Sequence, residues 1–387
     1  MQQEPNKKLF WIFVLSSAVY FTQGIENLPG QGLFYYLKET LSFPPEKIML
    51  IASITTFSWL VKPLIGYMID NLLTKRLWIF ISLALDVTFV LLLGFLQLPL
   101  IVLVVLLILN SNNAAFRDVA VDGIMCVEGK KYQITGKIQS IQWASILIAG
   151  LFTGLGGAFI AEKWDYKVGF LCLVPIYLIL LLPTYFYQED KRKKPVLLSI
   201  TLLGEFKRLF SDKKILIIGL FIFLYKYSPS FGTPLFFIQR DSFKWSKMWI
   251  GMLATISTVF GVAGSLLYYK FSQKINIKKW LYFSVFIGAV TTLSYLYYTP
   301  LTAVFYDVAY SLLGMFIFLM VMDFMARNSV RGLEATSFAL LCSINNLADV
   351  ASNLSGAFLF PLIGLKWLIA LSSLTSFLCL LLINKIE

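Results

Sequence analysis

Residues Trp59–Arg76 read W-L-V-K-P-L-I-G-Y-M-I-D-N-L-L-T-K-R. An apolar run carries one lysine, Lys62, and closes on Gly66, Asp70 and the basic pair Lys75–Arg76. Gly66 and Asp70 are four positions apart, so on a helix they share a face. A glycine there admits a neighbouring helix at close range, and the aspartate falls where the helix leaves the bilayer. From this stretch alone, a plain helix end with snorkelling charges is the alternative.

Outside it, hydrophobic residues make up 58% of the 387 residues and charged residues 14%; the mean hydropathy is +0.76. Soluble domains run near a quarter charged, so this composition is that of a polytopic membrane protein. Apolar runs of about 20 residues, long enough for ~30 Å of hydrocarbon, lie near 9–37, 47–70, 77–97, 99–122, 133–160 and 167–187. A second set lies near 214–239, 248–271, 280–298, 300–326, 333–360 and 364–385. The expected fold class is an all-α membrane protein of twelve transmembrane helices in two six-helix halves. The halves are 1–187 and 214–387, and 188–213 is a cytoplasmic linker with an amphipathic helix.

The net charge of +12 could indicate nucleic acid, but most lysines and arginines fall in short loops on the side that holds the N-terminus. That bias is a topology signal which puts both termini in the cytoplasm, and no nucleic-acid partner is expected. Cys126, Cys172, Cys342 and Cys379 lack metal spacing, and the absence of histidine excludes a His-based zinc site or proton relay. No nucleotide-binding loop, metal set or nucleophile–base pair is present, so neither an enzyme nor a pump is indicated and no cofactor is expected. The N-terminus lacks the cleavage site of a secretory signal.

Within the spans, polar residues are few and informative. The first is interrupted by Gln23-Gly24-Ile25-Glu26-Asn27-Leu28-Pro29-Gly30. A broken helix is tolerated in a membrane only where protein or a water-filled cavity satisfies its backbone. Asp86 lies in the third span; Asn110, Asn112, Asn113, Arg117, Asp118 and Asp122 lie in the fourth; Gln139 and Gln142 lie in the fifth. Lys226, between Tyr225 and Tyr227, is deep in the seventh, Asp307 is in the tenth, and Asn345, Asn346 and Asp349 line one face of the eleventh. The chain also repeats itself: L-F-Y-Y-L-K-E-T-L-S-F (33–43) aligns with L-F-F-I-Q-R-D-S-F-K-W (235–245) at a constant offset of 202. Parallel repeats of this kind put substrate between the halves near the midplane. At the same offset Gly66 meets Tyr268 and Asp70 meets Ser272, so the second half lacks the acidic residue.

The G-x-x-x-D run with its basic loop resembles the loop between helices 2 and 3 of major facilitator transporters. Longer stretches resemble the folate–biopterin transporter family of that superfamily. They are Tyr20-Phe21-x-Gln23-Gly24, Trp59-x-x-Lys62-Pro63-Leu64-x-Gly66-x-x-x-Asp70, Asp118-x-x-x-Asp122, Gln139-Ser140-x-x-Trp143, Pro229-Ser230-x-Gly232-Thr233 and Gly332-Leu333-Glu334-Ala335-Thr336-x-Phe338-Ala339-Leu340-Leu341. The resemblance implies the major facilitator fold and secondary transport of a folate or reduced pterin with protons. Val330-Arg331 departs from the proline that often precedes the last run, and Arg117 beside Asp118 is also a departure. Asp118-Val-Ala-Val-Asp122 resembles muropeptide and acyl-CoA permeases too, which are the alternative, beside a non-transporting receptor of the same fold.

The residues then sort into roles. Gly66, Asp70, Lys75, Arg76, Arg117, Asp118 and Asp122 are candidates for a gate at the cytoplasmic face. Glu26, Asp86, Asp307 and Asp349 are candidates for proton coupling, each with a satisfied structural carboxylate as its alternative. Glu26, Asn112, Asn113, Gln142, Tyr225, Lys226, Tyr227, Asn345, Asn346 and Asp349 are candidates for contact with an anionic heterocycle. Lys62 either snorkels or pairs with Asp118. Lys226 either pairs with Glu26 or Asp349 or takes a substrate carboxylate. The expected partners are that small molecule, protons and membrane lipid, and the expected location is a bacterial inner membrane.

Overall fold

The structure is a computed structural model that describes residues 5–43, 45–55, 57–190 and 202–383. Among these residues it is built of helices and has no strand. Among the described residues nine helices are long and apolar enough to cross a membrane, and three features relate them to the twelve spans expected from the sequence. Near 47–70 the span is divided into α3 (Pro45–Thr55), a short 3-10 turn and α4 (Lys62–Asn71). Proline disfavours helix at the residue before it, and Pro63 accordingly sits in the first turn of α4. The seventh span is divided into α11 (Lys213–Lys226) and α12 (Gly232–Phe237) around Pro229. The last two spans run together as α16 (Glu334–Ser376), which turns at Gly364 with φ +74°. That backbone conformation is open to glycine without the Cβ clash.

By packing, the chain divides into two units, Met1–Ser199 with Ser329–Ala339, and Ile200–Asn328 with Leu340–Glu387. In the first, α1 (Pro5–Ile25) packs along α7 (Thr135–Lys163), and α5 (Lys75–Phe95) packs along α6 (Leu100–Tyr132). The span Tyr166–Phe186 contains α8 (Tyr166–Leu171) and α9 (Leu173–Phe186). In the second, α13 (Lys247–Phe271) packs along α15 (Pro300–Arg327), with α14 (Ile277–Ser294) between them in sequence. The amphipathic stretch expected over 196–211 is a helix, α10, from Leu202 to Ser211. Its first six residues and the basic run Lys191–Lys194 lie outside the described residues.

The internal repeat holds at the level of single backbone atoms. α2 (Gly30–Tyr35) leads into a π-helical turn at Tyr36–Thr40, and α12 leads into one at Ile238–Ser242. Ser42 and Lys244 both adopt left-handed backbone, with φ of 53° and 55°. The closing hydrogen bonds also correspond: Phe43 N to Leu37 O at 3.0 Å, and Trp245 N to Gln239 O at 3.0 Å. Every one of these positions differs by the 202 residues of the sequence alignment.

Candidate functional site

The first unit buries an unusual number of charges, each paired by a different helix. Arg117, 1% exposed in α6, donates to Asp86 of α5 and to Glu26, which lies in the turn after α1. The Tyr177 hydroxyl of α9 donates to the same Glu26 oxygen, Oε1, at 2.9 Å, and the Tyr177 ring centre is 5.4 Å from the guanidinium. One formal positive charge thus stands between two formal negatives, and no water is needed to explain its burial. The sequence reading groups Arg117 with the gate; the structure instead brings it to Glu26 and Asp86. Successive helical residues point about 100° apart (~3.6 residues per turn), so Arg117 and Asp118 reach different partners.

Asp118 faces Lys62, with Nζ–Oδ2 at 2.5 Å and both side chains buried. Lys62 therefore pairs rather than snorkels, and its ammonium also lies 4.4 Å from the centre of the Trp59 ring. One turn on, Asp122 accepts hydrogen bonds from the Tyr20 hydroxyl at 2.9 Å and the Gln142 amide at 3.3 Å. Gln142 thus supports a carboxylate here. Asn113 is likewise buried, beside Asp86.

At the end of α4, Asp70 accepts from the backbone N–H groups of Ala335 (3.3 Å) and Thr336 (2.8 Å) and from the Thr336 hydroxyl (2.8 Å). Those are free donors of the first turn of α16, where a carboxylate also complements the helix dipole. Lys75 completes the site 3.4 Å from Asp70. The close approach depends on Gly66, where a Cβ would lie 2.7 Å from Thr336 Cα. Arg76 turns elsewhere: its side chain donates to the carbonyls of Thr184 (2.9 Å) and Tyr185 (2.6 Å) at the end of α9. Beside it Lys8 bridges Glu128 (2.6 Å) and Asp190 (2.9 Å), and Lys131 meets Asp190 at 2.9 Å. Hydrogen bonds from Lys131 and Lys8 hold the Asp190 carboxyl below the usual aspartate range. Lys130 joins Glu334 (3.7 Å) and donates to the Ser329 carbonyl (3.0 Å).

A cavity of about 560 Å³ opens in this unit, with Gln23, Glu26, Asn27, Trp59, Asn110 and Ser111 among its walls. Asn110 and Ser111 line it, whereas the expected Asn112 and Asn113 do not.

The second unit holds a larger cavity, of about 800 Å³, with Tyr225, Lys226, Ser284, Thr291, Tyr306 and Tyr310 among its walls. Lys226 pairs with Asp349 at 3.1 Å, with side chains 43% and 57% exposed. The Tyr225 hydroxyl is bonded to Ser284 at 2.8 Å, and Tyr227 stacks on Phe223 outside the cavity lining. Tyr295 lies 4.9 Å from Tyr306 and 5.4 Å from Tyr310, ring centre to ring centre, and Asp307 stands beside Tyr295. Asn345 and Asn346 occupy the turn of α16 before Asp349 and line neither cavity. In the first unit, sequence reading named Tyr20 and Thr336 only within the family motifs, without a role, and missed Tyr177. It also missed the partners of Asp323, which accepts from Tyr268 at 2.8 Å and from Arg327 at 2.7 Å. A tyrosine inside an apolar helix looks like packing, so composition carried no signal for Tyr177 or Tyr268.

The BT1 family model matches residues 23–386. The folate-biopterin transporter of Synechocystis sp. is 24% identical over 377 residues, which cover 92% of this chain and 76% of that protein. A probable folate-biopterin transporter 4 of Arabidopsis thaliana is 20% identical, covering 92% of this chain and 89% of its own. Among solved structures, the fucose:proton symporter of E. coli superposes with a TM-score of 0.73 at 13% identity, covering 97% and 98% of the two chains. The human organic anion transporter MFSD10 does so with a TM-score of 0.71 at 14% identity, covering 98% and 100%.

Proposed function

We propose, from the premise that this chain belongs to the BT1 family, that it carries a folate or related pterin across the membrane by proton-coupled alternating access. It is a multi-pass membrane transporter of the major facilitator fold and not an enzyme. The names of its relatives support the substrate class. In this reading 1–187 and 214–387 are the two alternating halves and 188–213 links them. Both termini face the cytoplasm of a bacterial cell, and α10 rests on lipid.

The observation that carries the coupling is the buried guanidinium of Arg117 held between two carboxylates. Such a cluster has an odd negative charge that a proton neutralises. Asp86 engages Arg117 through Oδ2, while its Oδ1 is buried without a hydrogen-bond partner among the described residues. A proton placed on that oxygen disturbs the network least. In the second unit, Lys226 is the cation for a substrate carboxylate, which competes with Asp349.

Reconstituted protein tests both steps. Radiolabelled folate should accumulate only under an imposed inward proton gradient. Asp86→Asn should abolish that accumulation while folate–folate exchange continues. Accumulation indifferent to the gradient in the parent protein would remove proton coupling from the reading.

A further inference from the structure

The cavity of the first unit has a chemistry of its own. Its wall combines one carboxylate, Glu26, with two carboxamides, Gln23 and Asn110, and the indole of Trp59. Glu26 is held in place through Oε1, which accepts from both Arg117 and Tyr177, and no described hydrogen bond engages Oε2. Gln23 Oε1 and Asn110 Oδ1 are buried acceptors without hydrogen-bond partners among the described residues. Unpaired buried acceptors are rare and ask for an explanation. Three acceptors with unused capacity, drawn from α1, the turn after it and α6, therefore belong to one cavity. The wall is built for a ligand edge rich in donors.

Resting on the substrate reading above, we propose that this cavity is the subsite for the amino-oxo edge of the pterin ring. That edge carries a ring N–H and an exocyclic NH₂ side by side, two donors aimed the same way. Glu26 Oε2 accepts from this pair, the Gln23 and Asn110 amides accept what remains, and Trp59 borders the flat ring. Arg117 and Tyr177 are positioning residues: they fix Oε1 and so aim Oε2. The same negative wall excludes the carboxylates of a folate tail, which must lie elsewhere. A volume of about 560 Å³ is within the ordinary range of small-molecule pockets.

The test is equilibrium binding to the purified full-length protein, with pterin and its 2-oxo analogue lumazine as probes. Lumazine keeps the ring but presents a carbonyl where pterin has NH₂. The parent protein should prefer pterin by about ten- to a hundredfold, the size of one lost charge-assisted contact. Glu26→Gln should erase most of that preference, weakening pterin more than lumazine, which keeps the ring N–H. Asn110→Leu leaves the Arg117 cluster intact and should weaken pterin several-fold at an unchanged melting temperature, which keeps the test valid if Glu26→Gln folds poorly. Equal binding of the two probes by the parent protein, or equal weakening of both by either variant, overturns the subsite alone. If the parent binds neither pterin nor folate, the substrate reading itself falls and the subsite with it.

Discussion

The two units share a backbone and divide the chemistry unequally. The π-turns at Tyr36–Thr40 and Ile238–Ser242 and the left-handed residues Ser42 and Lys244 correspond residue for residue. Yet the first unit buries Arg117, Lys62, Lys75 and their carboxylates, while the second surrounds its cavity with tyrosines and keeps a half-exposed Lys226–Asp349 pair. Where the first unit has Gly66 and Asp70, the second has Tyr268 and Ser272. Tyr268 donates to Asp323 and Arg327 reaches the Ser272 carbonyl, so the acid has moved to another helix. Duplication preserves what the backbone needs, and it leaves charges free to diverge because each depends on partners from several helices.

The most severe way to break this contrast is to unpair the first unit. Arg117→Leu leaves Glu26 and Asp86 buried without their cation, and losing one partner of a buried pair costs about 3–5 kcal/mol. Thermal unfolding in detergent should show this loss, whereas Lys226→Gln, in a half-exposed pair, should cost less than ~1 kcal/mol.

The same Lys226→Gln change sharpens the contrast when binding is read instead of stability. If Lys226 takes a substrate carboxylate, folate affinity should fall by about ten- to a hundredfold, or ~1.5–3 kcal/mol, with little change for uncharged pterin. Equal weakening of both ligands would return Lys226 to a structural pair with Asp349.

A smaller effect should separate Gly66 from its counterpart. Gly66→Ala forces a methyl to within 2.7 Å of Thr336 Cα, and overpacking of this kind costs about 1–3 kcal/mol. Tyr268→Phe removes the hydroxyl's bond to the Asp323 carboxylate, about 1.5–3 kcal/mol, and adds no clash. A Gly66→Ala protein that melts at the parent's temperature would contradict the close packing at Gly66.

The smallest effect concerns Asp190, an exposed carboxylate of the first unit. Its carboxyl is held below the ordinary aspartate range by Lys131 and Lys8. The stability it contributes is therefore present above about pH 4, the unfolded aspartate value, and is lost as pH falls through the lowered value. Asp190→Asn should melt slightly below the parent at neutral pH. That gap should close on acidification, and a gap unchanged down to pH 3 would rule out the linkage.

Much of the fold was legible because hydropathy acts locally. The spans and the interruption over Gln23–Gly30 follow from residues that constrain their own backbone, whereas 47–70 reads as one span and its division ahead of Pro63 was not foreseen. The 202-residue repeat was visible because charge and aromatic pattern survived in one loop. The site was legible only in part. Arg117 and Glu26 are 91 residues apart, and Asp70 and Thr336 are 266 apart; no periodicity links such pairs. The Lys62–Asp118 pair was readable as one of two alternatives, because a lysine inside a span either snorkels or needs an acid, and the structure selects the acid. Tyr177 was not, since the hydroxyl that completes the cluster sits in a stretch whose composition reads as lipid-facing apolar helix.

The cap on α16 also bears on how the protein is made. Asp70 leaves the ribosome well before its partner Ala335, which is 265 residues further along. At ~5–20 residues per second, that interval is roughly 13 to 50 s. Until then the helices already made hold a buried carboxylate that lacks its three hydrogen bonds from Ala335 and Thr336. The first unit is thus completed by a segment synthesised near the end. A chain cut short before Ser329 is an unfinished first unit and not merely a missing second one, which gives membrane quality control a long interval in which to recognise it.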